Sequence, residues 1–169
     1  AEESRLCTRL VNDEGIGLET IEHVMAAFAG IGLDNAVIEM NATEVPILDG
    51  SSLPFFEALN SAGLELLPAR RKQMVITKPV TVTLDDGAWA RLEPFDGLEI
   101  NVEINFEDAA IGSQSLIYHH GDGSFATELA SARTFCQLRD VELMKNAGLA
   151  LGGSFNNAIV VDGGKVLNE

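Results

Sequence analysis

The hydrophobic period of this chain shifts from helical to strand-like near Arg70 to Gln73 and back near Phe125, so helices and antiparallel strands must share one fold. On the N-terminal side, Ile21, Val24, Met25, Phe28 and Ala29 recur at three-and-four spacing and predict an amphipathic helix. Thr20 is its expected N-cap, and Gly30 and Gly32 its stop. A strand is expected to follow in "DNAVIEM". In "EVPILDGSSLPFFEALNSAGLELLP" the Asp49-Gly50 turn, a Ser51 or Ser52 cap, Pro54 in the first turn and Gly63 as a stop predict a second helix from Phe55 to about Ala62. After "PARRK" the stretches "QMVITKPVTVTL", "AWARLEPF", "LEINVEINFE" and "SQSLIYHH" alternate or are β-branched, and "DDG" and "DG" turns separate them, as in a meander. Helices return in "FATELASARTF" and "LRDVELMKNAG". The expected class is α+β, with one domain over 1–72 and a second over 73–169.

The two parts carry a faint repeat. "GIGLDNAVIEM" and "GGSFNNAIVVD" each run from glycines through Asn-Ala into a β-branched segment after a helix, which suggests two domains of similar build facing each other. The balance of 11 basic against 26 acidic residues, a net charge of -15, argues against nucleic acid, because phosphate binding needs clustered Lys and Arg. The one basic run, Ala69 to Lys72, reads as a solvated linker. The longest apolar run, "VMAAFAGIGL", is too short and too glycine-broken to span a membrane. "AEESRLCTRLVND" lacks the basic start and apolar stretch of a signal peptide. Cys7 and Cys136 lie far apart and in no CxxC, so both read as packing residues of a reduced cytosolic protein.

Within the first helix, Glu22 and His23 fall in the first turn, where a carboxylate favours the positive end of the helix dipole. His23 lines up with Ala26, Ala27 and Gly30, a stripe of small residues opposite the apolar one. A solvated face would carry Lys, Glu or Gln, so a second element is expected to pack closely there, with His23 at its rim. On the pattern alone, an exposed first-turn histidine beside helix-forming alanines is the simpler account. In "SARTFC", Arg133 and Thr134 fall at an expected helix end, where the hydroxyl reads first as a cap and second as a donor to a reacting carbonyl. "LGGSF" has neither the Lys of a P-loop nor GxGxxG spacing, so its glycines instead let a backbone pass close to a strand or a ligand chain. His119 and His120 are adjacent on a strand, point to opposite faces and are read as surface residues. No complete metal set is visible, since a catalytic zinc takes three protein ligands plus water and HExxH is absent.

Taken in order, "TIEHVMAAFAGIGLDNAVIEM", "EVPILDGSSLPF", "ARTF" and "GLALGGSFNNAIVVD" resemble the zinc-dependent UDP-3-O-acyl-N-acetylglucosamine deacetylases of bacterial lipid A biosynthesis, over nearly the whole chain. The resemblance implies a cytoplasmic hydrolase that removes acetate from UDP-3-O-(3-hydroxyacyl)-N-acetylglucosamine, with the active site between two similar α+β domains. It implies that His23 is a zinc ligand, Glu22 the general base that activates the metal-bound water, and Thr134 a donor to the tetrahedral oxyanion. "RDVELMKNAGLALGGSF" matches the insert that forms the fatty-acyl passage, which makes Val141, Leu143, Ala150, Gly153, Ser154, Phe155 and Ala158 candidate lining residues. Asn156 stands where the family often has Asp. By the same resemblance both domains are incomplete here: the chain starts inside the first, and the other two zinc ligands, a His and an Asp, with a catalytic His and Lys, are expected beyond Glu169. The fragment alone is then expected to be inactive, and the protein is expected to be a monomer. A contrasting expectation is a binding module, a duplicated α+β pair that kept the fold and lost the chemistry.

Overall fold

The computed structural model describes residues 7–146, 150 and 152–168, so Ala147 and Gly148 of the last expected helix and Leu151 of the glycine-rich stretch lie outside the described residues. The chain opens with a small antiparallel hairpin, β1 (Leu10–Val11) and β2 (Gly17–Leu18), which leads into α1 (Glu22–Ile31). Helix α2 (Leu53–Ala62) packs on α1. Two hairpins follow, β3 (Val80–Thr83) with β4 (Trp89–Leu92) and β5 (Glu99–Asn105) with β6 (Ser113–His119). A short helix, α3 (Phe125–Glu128), precedes β7 (Phe135–Gln137), α4 (Leu138–Asn146), β8 (Ile159–Asp162) and β9 (Lys165–Val166). The result is a mixed α+β fold built on small sheets.

The second helix forms as its residues dictate. Pro54 sits in the first turn, where a missing N–H costs nothing, and Ser51 Oγ accepts the Leu53 N–H at 3.2 Å. Gly63 closes the helix at φ 77, with its N–H donating to Leu59.

Around α1 the structure departs from the expected local pattern. Thr20 does not cap the helix: it adopts φ 58, a costly region for a β-branched residue, and its buried hydroxyl donates to Glu44 Oε1 at 2.8 Å. Ile21 takes the N-cap position instead, without a side-chain cap. The buried face is also rotated from the expected stripe. Ile21 and Val24 are buried, but Met25 and Ala29 are exposed and line a cleft of about 370 Å³ with Leu33 and Ile38. The helix ends at Gly32 in the left-handed region, and Gly30 remains inside it.

The strand expected in "DNAVIEM" does not form: residues 33–40 are irregular, and Val37 is 92% exposed. A strand needs a hydrogen-bonded neighbour, and among the described residues this segment has none. The matching "NNAIVVD" does have neighbours, and Ile159–Asp162 lies between β7 and β9. The expected meander is likewise divided into two separate ribbons, because β4 and β5 are not paired across the Asp96-Gly97 bend. Nor is the pairing wholly antiparallel: β7 and β8 run parallel, with α4 as the crossover between them. The Ala69–Lys72 run is exposed, as expected, and Arg71 Nε makes a surface pair with Asp34 at 2.9 Å.

Burial concentrates in two clusters that share α1 and α2. One holds Ile21, Val24 and Val45, with Leu18, Phe28 and Phe55 against them. The other holds Tyr118, Phe125 and Ala130, with Ala26, Leu53, Phe56 and Leu129 packed on it. The small stripe of α1 thus meets the second cluster, as the absence of long polar side chains required. A Cβ on Gly30 would come within 2.1 Å of the Phe125 ring.

Candidate functional site

The first turn of α1 presents Glu22 and His23 at the N-terminal end of this small-residue face. Glu22 Oε2 accepts the Thr8 N–H at 3.0 Å, which fixes the carboxylate through one oxygen. His23 is half-buried, one turn before Ala26 and the fully buried Ala27. Behind the pair, Ile21 packs in the cluster that includes Phe55 of α2. The positions of Glu22 and His23 therefore depend on α2.

Thr134 lies in irregular backbone just ahead of β7, six residues past the end of α3 at Glu128, so it is no helix cap. Its main chain is held on both sides. The Thr134 N–H donates to Gly50 O at 2.8 Å, and its carbonyl accepts the Ile159 N–H at 2.9 Å, which extends the β7–β8 ladder by one rung. The Thr134 side chain is exposed. Gly50 precedes α2 in the Asp49 turn, where Asp49 Oδ1 accepts from both the N–H and the hydroxyl of the fully buried Ser51. Ser52 Oγ adds a bond to Ala130 O at 3.1 Å. These bonds tie the turn leading into α2 to the segment that carries Thr134.

The candidate passage residues fall into two groups. Val141 and Leu143 lie on α4, half-buried and 66% exposed respectively. Ala150, Gly153, Ser154, Phe155 and Ala158 belong to the irregular connection from α4 to β8, where Ala150 adopts φ 51 and the Gly153 N–H donates to Ala150 O at 3.0 Å. Ala158 precedes the Ile159 that bonds to Thr134, which puts one end of this connection beside Thr134. None of the seven lines either of the two clefts found around α1.

His119 ends β6 and His120 is the turn residue after it. His119 is exposed and pairs with Glu99 at 3.3 Å, but His120 is half-buried rather than on the surface. It stands edge-on to Tyr118 with ring centroids 6.3 Å apart and lines a cleft of about 200 Å³ with Gly30, Gly32 and Phe125. Burial, and then the Asp122 and Glu128 carboxylates, push the Tyr118 hydroxyl up from its ordinary value. Cys136 on β7 is pushed up by burial first and Asp140 second, consistent with a packing role.

Among the described residues no three His, Cys, Asp or Glu side chains gather closely enough to hold a metal. The described residues by themselves thus do not fit a complete zinc site, and His23 offers one donor. Three positions have no site signal in the sequence: Gly50 reads only as part of a turn, Asn157 only as part of the Asn-Ala repeat, and Asn168, which with Asn157 braces the connection before β8, belongs to no pattern. Their only signal was the clustering of turn formers around the strand.

Comparison with known proteins agrees with this arrangement of motifs. The chain is 45% identical over 169 residues to the UDP-3-O-acyl-N-acetylglucosamine deacetylase of Aliivibrio fischeri (strain ATCC 700601 / ES114), covering 99% of this chain and 55% of the relative. It is 46% identical over 168 residues to that of Shewanella sp. (strain W3-18-1), covering 98% of this chain and 55% of the relative. It is 45% identical over 169 residues to that of Vibrio vulnificus (strain YJ016), with 99% and 55% covered. The chain spans about half the length of the curated relatives it matches. The profile of the UDP-3-O-acyl N-acetylglycosamine deacetylases matches residues 1–169, from one end of the chain to the other, and the chain belongs to that family.

Proposed function

We propose that the protein carrying this chain is a zinc-dependent amide hydrolase that removes acetate from UDP-3-O-(3-hydroxyacyl)-N-acetylglucosamine, early in lipid A biosynthesis. The observation that carries the reading is the family match over the whole of residues 1–169, with Glu22 and His23 together in the first turn of α1. Glu22 accepts the proton of the attacking water. Its carboxylate is anchored through Oε2 by Thr8, which leaves Oε1 to face the reacting centre. Thr134 donates its hydroxyl to the oxyanion that develops on the acetamide carbonyl, from a main chain fixed by Gly50 and Ile159. His23 supplies one ligand of a zinc ion whose other ligands come from outside this segment. Zinc, when bound, would supply a water whose pKa is lowered to about 7.

Val141, Leu143, Ala150, Gly153, Ser154, Phe155 and Ala158 receive the acyl chain, whose alkyl groups need apolar and small side chains. The active site lies between two α+β domains of related build, over 1–72 and 73–169, and the enzyme is a cytoplasmic monomer. Among the described residues no helix is long and apolar enough to cross a membrane. The test is acetate release from this substrate by the full-length enzyme, with Glu22→Gln as the comparison. Zinc-dependent release that falls by at least about a hundredfold in the variant supports the reading. An enzyme that binds the substrate and releases no acetate would instead be a binding module.

A further inference from the structure

The stretch Gly152–Ala158 supplies four of the seven passage candidates, yet it contains neither helix nor strand and opens on two glycines. Such a backbone would fluctuate unless something held it. Two amide side chains do. Asn157 folds back on the stretch: its Nδ2 donates to Gly152 O at 2.9 Å and its Oδ1 accepts the Ser154 N–H at 2.8 Å. Asn168 reaches in from beyond β9. Its Nδ2 donates to both Phe155 O, at 2.7 Å, and Ala158 O, at 2.8 Å, while its Oδ1 accepts the Val160 N–H at 2.7 Å. Both amide protons and the oxygen of Asn168 are therefore engaged on one short segment. The geometry is specific to asparagine, because an aspartate has no protons for the two carbonyls and a glutamine is one methylene too long to keep all three bonds.

We propose that Asn168 is a positioning residue for acyl-chain selectivity: by locking the Phe155 and Ala158 carbonyls it fixes the width of the passage that receives a 3-hydroxy fatty acyl chain. The inference rests on the deacetylase reading given above. It extends it to a residue that touches no substrate. Phe155 is the bulky member of the stretch, and Ala158 adjoins the Ile159 that bonds to Thr134, so the two locked carbonyls bracket the passage from its wide side chain to its end beside the oxyanion donor. Releasing them lets Phe155 swing into the path of a long chain, whereas a short chain does not reach it.

Asn168→Asp separates this role from a merely structural one. The substitution keeps the shape and the acceptor for Val160 N–H, and replaces the two donors with a carboxylate oxygen that repels the Phe155 and Ala158 carbonyls. In the full-length enzyme, kcat/KM is measured for a long-chain and a short-chain 3-hydroxyacyl substrate, with the thermal midpoint recorded alongside. The ratio of long-chain to short-chain kcat/KM is expected to fall about tenfold, mainly through KM of the long substrate. A ratio equal to that of the unsubstituted enzyme, or equal losses on both substrates, overturns the proposal. If Asn168→Asp does not fold, Asn168→Ala, which removes the same two donors without adding a charge, is measured in the same way, and an unaltered ratio there overturns it too. Failure of the unsubstituted enzyme to release acetate from either substrate would overturn the deacetylase reading, an outcome distinct from an unaltered ratio in an active enzyme.

Discussion

The Thr134 N–H donates to the Gly50 carbonyl at 2.8 Å, and on the other side of Gly50 the Asn157 carbonyl approaches so closely that an added Cβ would meet its oxygen at 2.0 Å. Gly50 also holds φ 82, where an L side chain is strained. Gly50→Ala is therefore expected to destabilise the chain by at least about 2 kcal/mol, from backbone strain plus a backbone overlap that no rotamer change relieves. Denaturant midpoints of the two proteins check this. A shift of less than half that size would mean that Asn157 can move away freely.

Gly30→Ala sets two effects of opposite sign against each other. Inside a helix, alanine is favoured over glycine by about 1 kcal/mol. Here the new methyl would lie 2.1 Å from the ring of the buried Phe125, and overpacking of that kind costs about 1 to 3 kcal/mol. The overlap is expected to win, giving a net loss of about 1 kcal/mol in urea unfolding. In a Phe125→Leu background the same substitution should be neutral or stabilising.

Cys136 gives a pH dependence with a definite sign. Burial, then Asp140, raises its thiol above the ordinary value of 9.0, so the folded state holds the proton more tightly than the unfolded chain. That contribution is fully present below the unfolded value and is lost as pH rises through the folded one. Stability should thus decline more steeply above about pH 9 than in Cys136→Ser, with no difference between them in slope near pH 7. Alkylation of Cys136 at pH 8 should also be slower in the native protein than in urea, as mass spectrometry of the labelled peptide would report.

Bulk in the connection before β8 is expected to discriminate by chain length. Gly153→Leu or Ala150→Leu, in the full-length enzyme, should lower kcat/KM on long-acyl substrates about tenfold more than on short ones, because the added side chain fills room the alkyl chain needs. Equal losses would indicate a folding defect. Gly153 is the cleaner site, since a Cβ there would be tight only against Ala150 O, at 3.1 Å, whereas Ala150 already holds φ 51.

Zinc titration of residues 1–169 alone tests how many ligands this segment contributes. With His23 as one imidazole on a helix end, affinity should be weak, because tight zinc sites draw on several deprotonated ligands in tetrahedral array. Stoichiometric, submicromolar binding that disappears in His23→Ala would show that the segment completes the site by itself.

What could be read from the sequence was what depends on neighbours along the chain. The end of α2 follows from Gly63 and the β5 and β6 strands from their alternation, because caps and periods act within a few residues, although α2 starts at Leu53, two residues ahead of the expected Phe55. The small stripe of α1 was legible for a related reason: Ala26, Ala27 and Gly30 are intelligible only if something like Phe125 lies against them. What could not be read depended on distant partners. Thr20 has the chemistry of a cap, yet Glu44 outcompetes the helix for its hydroxyl. "DNAVIEM" and "NNAIVVD" have the same strand propensity, and only the second finds β7 and β9 beside it. Of the candidate site, Glu22, His23 and Thr134 stand out by motif, while Gly50, Asn157 and Asn168 act through hydrogen bonds to particular backbone groups that leave no period behind.

The Ser52–Ala130 bond beside Gly50 joins residues 78 apart in sequence. Closing a loop of that length costs about 4 kcal/mol of chain entropy beyond a constant, whereas the β5–β6 hairpin closes over a short turn. The hairpins therefore close at little entropic cost, whereas the seam at Gly50, which holds the Thr134 main chain against the turn ahead of α2, closes at a larger one. The contact that anchors Thr134 is thus also the one whose loss returns the most freedom to the chain when the molecule opens.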